Sequence, residues 1–355
     1  MTRFVFALLI VLTASACATP QAELPDVAPE RVEEEERIQR ELVVAELQEE
    51  QQRLDDLIYP LMVAATEMCE APVPRRGFRF HAAGEHEDEW AEAAEAALDL
   101  TDTVTVSGVT SGAPADDAGL EAGDRILTVD GESLPLGTDG VHELGERMLE
   151  AGERGVELGI LRGGETRRIS VAYEKLCPYG HEVAPGGQIN AFADGENVIV
   201  PWGMMRFASD EELQVILAHE IAHNAMGHVD AMRRNVLAAG LFGALLDGLA
   251  GAGGVHTGGR YTADFAEMGG QAFSQDFERE ADHVGIYIMA RADLPLDNAP
   301  MLWRRFAHMS PEAIGYAYSH PASAERFVRI QEAIEEVEEK KREGLELLPD
   351  MEGDP

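Results

Sequence analysis

The sequence is poor in positive charge. Only 28 Lys and Arg stand against 66 Asp and Glu, a formal net charge of −38. Such a chain repels a phosphate backbone, which excludes nucleic acid as a partner. The acidic runs, such as Glu33 to Glu36 and Glu85 to Glu89, read as solvated faces or loops. Long apolar runs are missing too. The N-terminal stretch from Phe4 to Leu12 is short, and Val236 to Ala252 is broken by Asp247, whereas a membrane span needs about 20 apolar residues. A span at Val236 to Ala252 would also put His219 and Glu278 on opposite sides of a bilayer. Cysteine is scarce: Cys17, Cys69 and Cys177 are the whole set.

What the N-terminus does have is the pattern of a secretory leader over residues 1–16: Arg3, the apolar Phe4 to Leu12, and the small residues Ala14-Ser15-Ala16 before Cys17. Ala14 to Cys17 also resembles a bacterial lipobox, after which Cys17 would carry lipid. Ala18 then directs the product to the periplasmic face of the outer membrane. Cleavage by ordinary signal peptidase, giving a soluble periplasmic or secreted protein, is the alternative. Both routes are extracytoplasmic, so any membrane attachment is by a lipid anchor only. Both also reach an oxidising space, where Cys69 and Cys177 can pair and staple the two crossings of an inserted unit. Two separate buried thiols are the other reading.

Residues 17–30 read as a tether and 31–69 as a helix, with Leu47, Leu54, Ile58, Leu61 and Ala65 at spacings of three, four and seven. Pro60 is expected to kink or divide that helix. Residues 77–174 form a different unit: a strand at Val104 to Val106, Gly turns, an Asp130-Gly131 hairpin, a helix over Val141 to Leu149, and a closing hairpin at Gly163-Gly164. The run from Ser111 to Leu134, with Ala118-Gly119-Leu120, Gly123-Asp124 and Val129-Asp130-Gly131, resembles the PDZ domain of bacterial proteases. The resemblance implies a β-rich reader of free peptide C-termini, with Gly77-Phe78-Arg79-Phe80 as its carboxylate loop. A spacer or lid is the other role open to it.

Beyond Cys177, Ser209 and Glu212 form a capping box that opens a helix. That helix carries His219-Glu220-Ile221-Ala222-His223. Positions four apart share one helix face, so both imidazoles can hold one ion, with Glu220 beside them as a base. A third ligand is required, and there are three candidates: His228, Glu278 and His320. The metzincin pattern is absent, because position 229, where its third His belongs, is Val. Glu278 and Asp282 are one turn apart, so one can bind metal while the other braces a ligand His through its second ring nitrogen.

The order Asn190-Ala191-Phe192, Val198 to Val200, His219 to His223, Glu278-x-x-x-Asp282, His320-Pro321 and Arg326 resembles the gluzincins that include the CAAX prenyl endopeptidase, HtpX and the periplasmic beta-barrel-assembly-enhancing protease. The resemblance implies one Zn2+ per chain on His219, His223 and Glu278, Glu220 as general base, and Asp282 bracing a ligand. It places Asn190, Ala191 and Phe192 on the substrate strand, and offers His320 or Arg326 as oxyanion donor. The fold class it implies is α+β: a mostly helical zincin-type peptidase over 178–335 with a small sheet, interrupted by the PDZ unit and followed by an acidic, frayed tail over 336–355. Val236 to Ala252 becomes a buried or cleft-covering helix, residues 251–270 a loop, and Ala324 to Arg342 an amphipathic helix. The function expected is a cell-envelope endopeptidase for misfolded or misassembled proteins. The alternative is a largely latent protease that works as a holdase or assembly scaffold.

Overall fold

The computed structural model describes residues 22, 25–85, 90–252, 258, 260, 263, 274–309 and 324–350. Cys17 with the leader before it, His320, and most of the Gly-rich stretch after Ala252 lie outside these residues.

Helix α1 (Pro29–Ala64) begins with Pro at a position where the missing N–H has no helical partner to lose. It runs through Pro60 undivided. Only one turn follows the proline, and Leu61, Met62 and Ala64 in that turn are buried, so packing holds what the ring would loosen. The chain continues through β1 (Val73–Arg75), β2 (Phe78–His81), α2 (Ala91–Leu98), β3 (Thr105–Val109), α3 (Pro114–Asp117), β4 (Arg125–Val129) and β5 (Glu132–Ser133). Next come α4 (Thr138–Ala151), β6 (Val156–Arg162), β7 (Glu165–Val171) and β8 (Glu174–Leu176). Strands β2-β3-β4-β6-β7 lie in that order, all antiparallel, with β5 on β4. Asp130-Gly131 and Gly163-Gly164 all have positive φ, as two-residue hairpins of this twist require. Val104, Ile126, Leu144, Leu158, Ile160 and Val171 form the core of this unit.

Strands β1 and β8 pair antiparallel, and Cys69 is joined to Cys177 by a disulfide, so both crossings into the unit are tied together. Then follow β9 (Gly180–Ala184), β10 (Phe192–Ala193) and β11 (Asn197–Pro201), in the order β10-β11-β9, with β11 antiparallel to β10 and parallel to β9. The helices are α5 (Trp202–Phe207), α6 (Asp210–Ala225), α7 (His228–Ala252), α8 (Ser274–Arg291), α9 (Ala299–Met309) and α10 (Ala324–Glu343). Ser209 and Glu212 make the expected reciprocal cap on α6. The larger core unites Ile58 of α1, Val198 and Val200 of β11, Leu217 of α6, Tyr287 of α8 and Val337 of α10. The architecture is α+β, with a helical unit around a small mixed sheet and a second, β-rich unit.

The two units touch along α1. Gln48 and Gln52 donate to the Ser107 and Val109 carbonyls of β3, each at 2.9 Å, and Asp56 accepts from the Ser111 N–H. Arg79 of β2 forms a bidentate pair with the buried Asp55.

Two expectations are corrected. Of the two roles expected for helix α7, burial does not hold along its described length: Leu237, Leu241 and Leu245 are 67, 73 and 58 % exposed. Their spacing of four puts them on one face, which the described residues leave open. No helix among the described residues is long and apolar enough to cross a membrane. Helix α10 ends at Glu343, one residue past the expected Arg342, with Val337 fully buried, but the residues after it are not frayed: Leu347 packs on the larger core. Lys340 and Arg291 then donate to the Leu348 and Leu347 carbonyls.

Candidate metal centre and peptide groove

Helix α6 presents His219 and His223 on one face, one turn apart, as the local spacing dictates. Helix α8 packs against it closely. At Gly285 an added Cβ would lie 3.3 Å from the His219 backbone nitrogen, tighter than nearly all real Cβ contacts, so the absence of a side chain there suits the close approach of α8. That contact brings Glu278 to the two rings. Nε2 of His219 lies 3.0 Å from Nε2 of His223; the Glu278 carboxylate is 3.5 Å from the first and 3.3 Å from the second. Four ligands at about 2.0–2.1 Å in a tetrahedron lie roughly 3.3 Å apart, so the three donor atoms fit a single zinc ion. All three residues are buried, and they form the one His/Cys/Asp/Glu cluster of metal-binding geometry among the described residues.

Each ring aims Nε2 inward and is held by Nδ1. His219 Nδ1 is 3.0 Å from Asp282, which is buried and clamped in turn by Arg326 at 2.6 and 2.7 Å. His223 Nδ1 is 3.0 Å from His228 Nδ1, and His228 turns Nε2 to Glu280 at 2.9 Å. Burial and the Arg326 charge both oppose a proton on His219, but Asp282 and Glu278 outweigh them and push its pKa up to about 9. Burial, reinforced by His219, pushes His223 down to about 4. Asp282 lies below the usual carboxylate range: burial raises it, and Arg326 with His219 more than compensates.

Glu220, next to His219, is 2 % exposed and near enough for its charge to favour protonation of His223. Arg326 lies behind the ligands. Its guanidinium spans Asp282, Glu278 (3.1 Å) and His219 (3.2 Å), and stacks 3.3 Å over the Trp303 ring. In that position Arg326 holds the groups around the ligands. His320, the other donor read from the sequence, lies outside the described residues. Phe192 starts β10, which has no partner strand on its outer side among the described residues; Asn190 and Ala191 lead into it.

In the second unit, Gly77 has φ +75°, and a Cβ on it would collide with Ala113 Cβ at 2.1 Å, so only glycine fits. Phe78, Arg79 and Phe80 follow on β2, an edge strand facing α4. A cavity of about 570 Å³ opens there, away from the His219–His223–Glu278 cluster. The sequence offered no sign of the links from His228 to Glu280 or from Asp55 to Arg79 and His181, because each joins segments far apart in the chain.

Residues 169–334 match the family model described as Peptidase family M48, and residues 105–162 the PDZ domain. The chain is 30% identical over 159 residues to the beta-barrel assembly-enhancing protease of Yersinia pestis, covering 41% of this chain and 31% of that protein. It is 27% identical over 163 residues to the metalloprotease LoiP of Escherichia coli (strain K12), covering 44% and 63%. It is 27% identical over 166 residues to the mitochondrial metalloendopeptidase OMA1 of Schizosaccharomyces pombe, covering 45% and 44%. The chain thus spans less than two thirds of the length of each of these relatives. Gly77 to Phe80 precede the matched PDZ stretch, and β2 joins it by pairing with β3.

Proposed function

From a chain that carries a peptidase family M48 domain and a PDZ domain, we propose a zinc-dependent endopeptidase of the bacterial cell envelope that cleaves misfolded or misassembled proteins. The observation that carries this reading is the convergence of His219 Nε2, His223 Nε2 and the Glu278 carboxylate at 3.0–3.5 Å, beside a buried Glu220.

His219, His223 and Glu278 hold the ion in this reading. Bound zinc supplies Lewis-acid polarisation and acidifies water in the position the three ligands leave open. Glu220 accepts a proton from the attacking water and passes it to the leaving amine. The outer edge of β10 takes the substrate backbone as an added strand, with Asn190 to Phe192 alongside. Asp282 and Arg326 keep His219 in the tautomer whose Nε2 lone pair points inward. His320 or Arg326 serves as the oxyanion donor. The PDZ domain reads substrates or partners through their free C-termini. Residues 1–16 serve as leader, Cys17 as the lipid anchor, and the active domain faces the periplasm.

The test is cleavage of an unfolded protein by the chain beginning after Cys17, beside Glu220→Gln. Loss of a general base lowers the rate by about 10²–10⁴ while zinc stays bound. A Glu220→Gln variant that cleaves like the wild type removes this assignment. Absence of cleavage by both, with one zinc per chain, favours the holdase or scaffold reading, for which the open leucine face of α7 would be the client surface.

A further inference from the structure

The cavity beside β2 does not belong to one unit. One wall is Phe78 of β2 with Met148 and Leu149 of α4; the other is Met62 of α1 and His181 of β9. At about 570 Å³ it lies within the range of ligand pockets, roughly 300–1,000 Å³. Strands β2 and β9 each end their own sheet, and among the described residues neither has a partner on its outer side. Side chains serve the outer edge of β9 instead: Arg79 donates to the His181 carbonyl at 3.0 Å, and the Val183 N–H donates to Gln51 at 2.9 Å.

Three residues that line this cavity carry a buried polar atom with no partner among the described residues: the Tyr59 hydroxyl, Arg76 Nε and His181 Nδ1. Arg76, immediately before Gly77, is 5 % exposed. Its Nη atoms donate to the carbonyls of Met148, Gly152 and Arg154, but its Nε finds no acceptor among the described residues. His181 sets Nε2 3.0 Å from Asp55, and its buried Nδ1 has no partner among the described residues. Buried polar groups are nearly always paired, by protein or by water, so Arg76 Nε and His181 Nδ1 are places where a ligand's polar atoms can be taken up. Arg76 Nε requires an acceptor. Asp55 accepts from His181 Nε2–H, so in the neutral ring Nδ1 is the lone-pair nitrogen and requires a donor. An extended peptide end supplies both, a carboxylate and a backbone N–H, while its last side chain meets Met62 and Met148.

We propose that the peptide site of the PDZ domain is completed by the peptidase domain: a C-terminal segment lies between β2–α4 and α1–β9, its carboxylate toward Arg76 and Gly77 and an N–H on His181 Nδ1. This rests on the reading of the PDZ domain as a reader of C-termini, and it makes His181 a specificity residue. The bound segment would touch β9 of the three-stranded sheet whose other edge, β10, is assigned to substrate. Reading and cutting would then share one sheet.

The experiment uses the chain beginning after Cys17, in a Glu220→Gln background so that nothing is cut. The probe is a library of heptapeptides immobilised through their N-termini, with free or amidated C-termini. Peptides with a free carboxylate and an apolar last residue should be retained. Leu149→Glu on the PDZ wall and His181→Ala on the peptidase wall should each weaken a selected peptide about tenfold or more. A benzophenone at the penultimate residue should cross-link to residues 177–182, a readout independent of any folding defect in the variants. Weakening by Leu149→Glu alone, with cross-links confined to residues 77–80 and 145–149, would overturn the shared site and leave the PDZ reading standing. Retention of no peptide by the parent chain would overturn both.

Discussion

His228 stands behind His223, with the two Nδ1 atoms 3.0 Å apart. Glu280 accepts from His228 Nε2, so His228 Nδ1 is an acceptor in the neutral ring, and His223 Nδ1 must be the donor. The Nε2 of His223 is thereby left with its lone pair facing Glu278 and His219. Asp282 does the same for His219 by direct contact. Both proposed ligands are thus backed by a carboxylate, one directly and one through a second imidazole, and Phe277 stacks on that imidazole at 4.7 Å.

His228→Ala should weaken zinc binding by about 10–100-fold, the usual effect of losing a group that orients a metal-bound His. Competition with a coloured chelator measures it without reference to activity. Glu280→Gln should do less, since the Glu280 side chain is 46 % exposed and water can take its place. Unchanged zinc affinity in His228→Ala would reduce the relay to packing.

Arg326→Ala tests whether that residue supports the site or acts on substrate. Asp282 is 6 % exposed, and without Arg326 its charge is buried with too little compensation. Breaking a buried pair in this way costs about 3–5 kcal/mol, read from denaturant unfolding. Arg326→Lys should recover only part of that, because a lysine cannot span both carboxylate oxygens. A variant of undiminished stability that lost only turnover would instead argue for a direct role on the oxyanion.

The parts legible in the sequence were those set by local spacing. His219 and His223 are four apart on a helix, so their shared face follows from helix geometry alone, and the Ser209–Glu212 cap is likewise local. Gly163-Gly164 foretold its hairpin for the same reason. Failures arose where distant packing decides. Pro60 does not divide α1, because buried Leu61 and Met62 keep the last turn helical. The apolar content of α7 suggested burial, but composition does not say what a helix packs against, and Leu241 is 73 % exposed. The sequence offers Arg326 as an oxyanion donor, and its contact with Asp282 is visible only once α10 packs on α8.

The disulfide closes a sequence separation of 108 residues around the PDZ-bearing segment. In the chain-entropy account, closing a loop of about 100 residues stabilises the folded state by roughly 4.7 kcal/mol, with measured effects commonly about 2–5 kcal/mol. A Cys69→Ala/Cys177→Ala double variant should therefore unfold at distinctly lower denaturant. Equal midpoints for the variant and the oxidised parent would show that β1–β8 pairing and the larger core hold the crossings without it.

The contact of Asp55 with Arg79 and His181 gives the seam between the units a pH dependence of known sign. Burial raises the Asp55 pKa, but His181 and Arg79 more than offset this and hold it below its ordinary value. A carboxylate depressed in the folded state contributes stability that is fully present above its unfolded pKa, about 3.9, and is lost as pH falls through the folded value. Asp55→Asn should thus cost about 1.5–3 kcal/mol at neutral pH, the range for hydrogen bonds to a charged group. The gap between wild type and variant should stay constant from about pH 5 to 8 and close below about pH 4. Urea midpoints across that range decide it. A gap that persisted under strong acid would mean the Asp55 side chain stabilises by shape, and one that closed near pH 6 would place the controlling proton on a histidine.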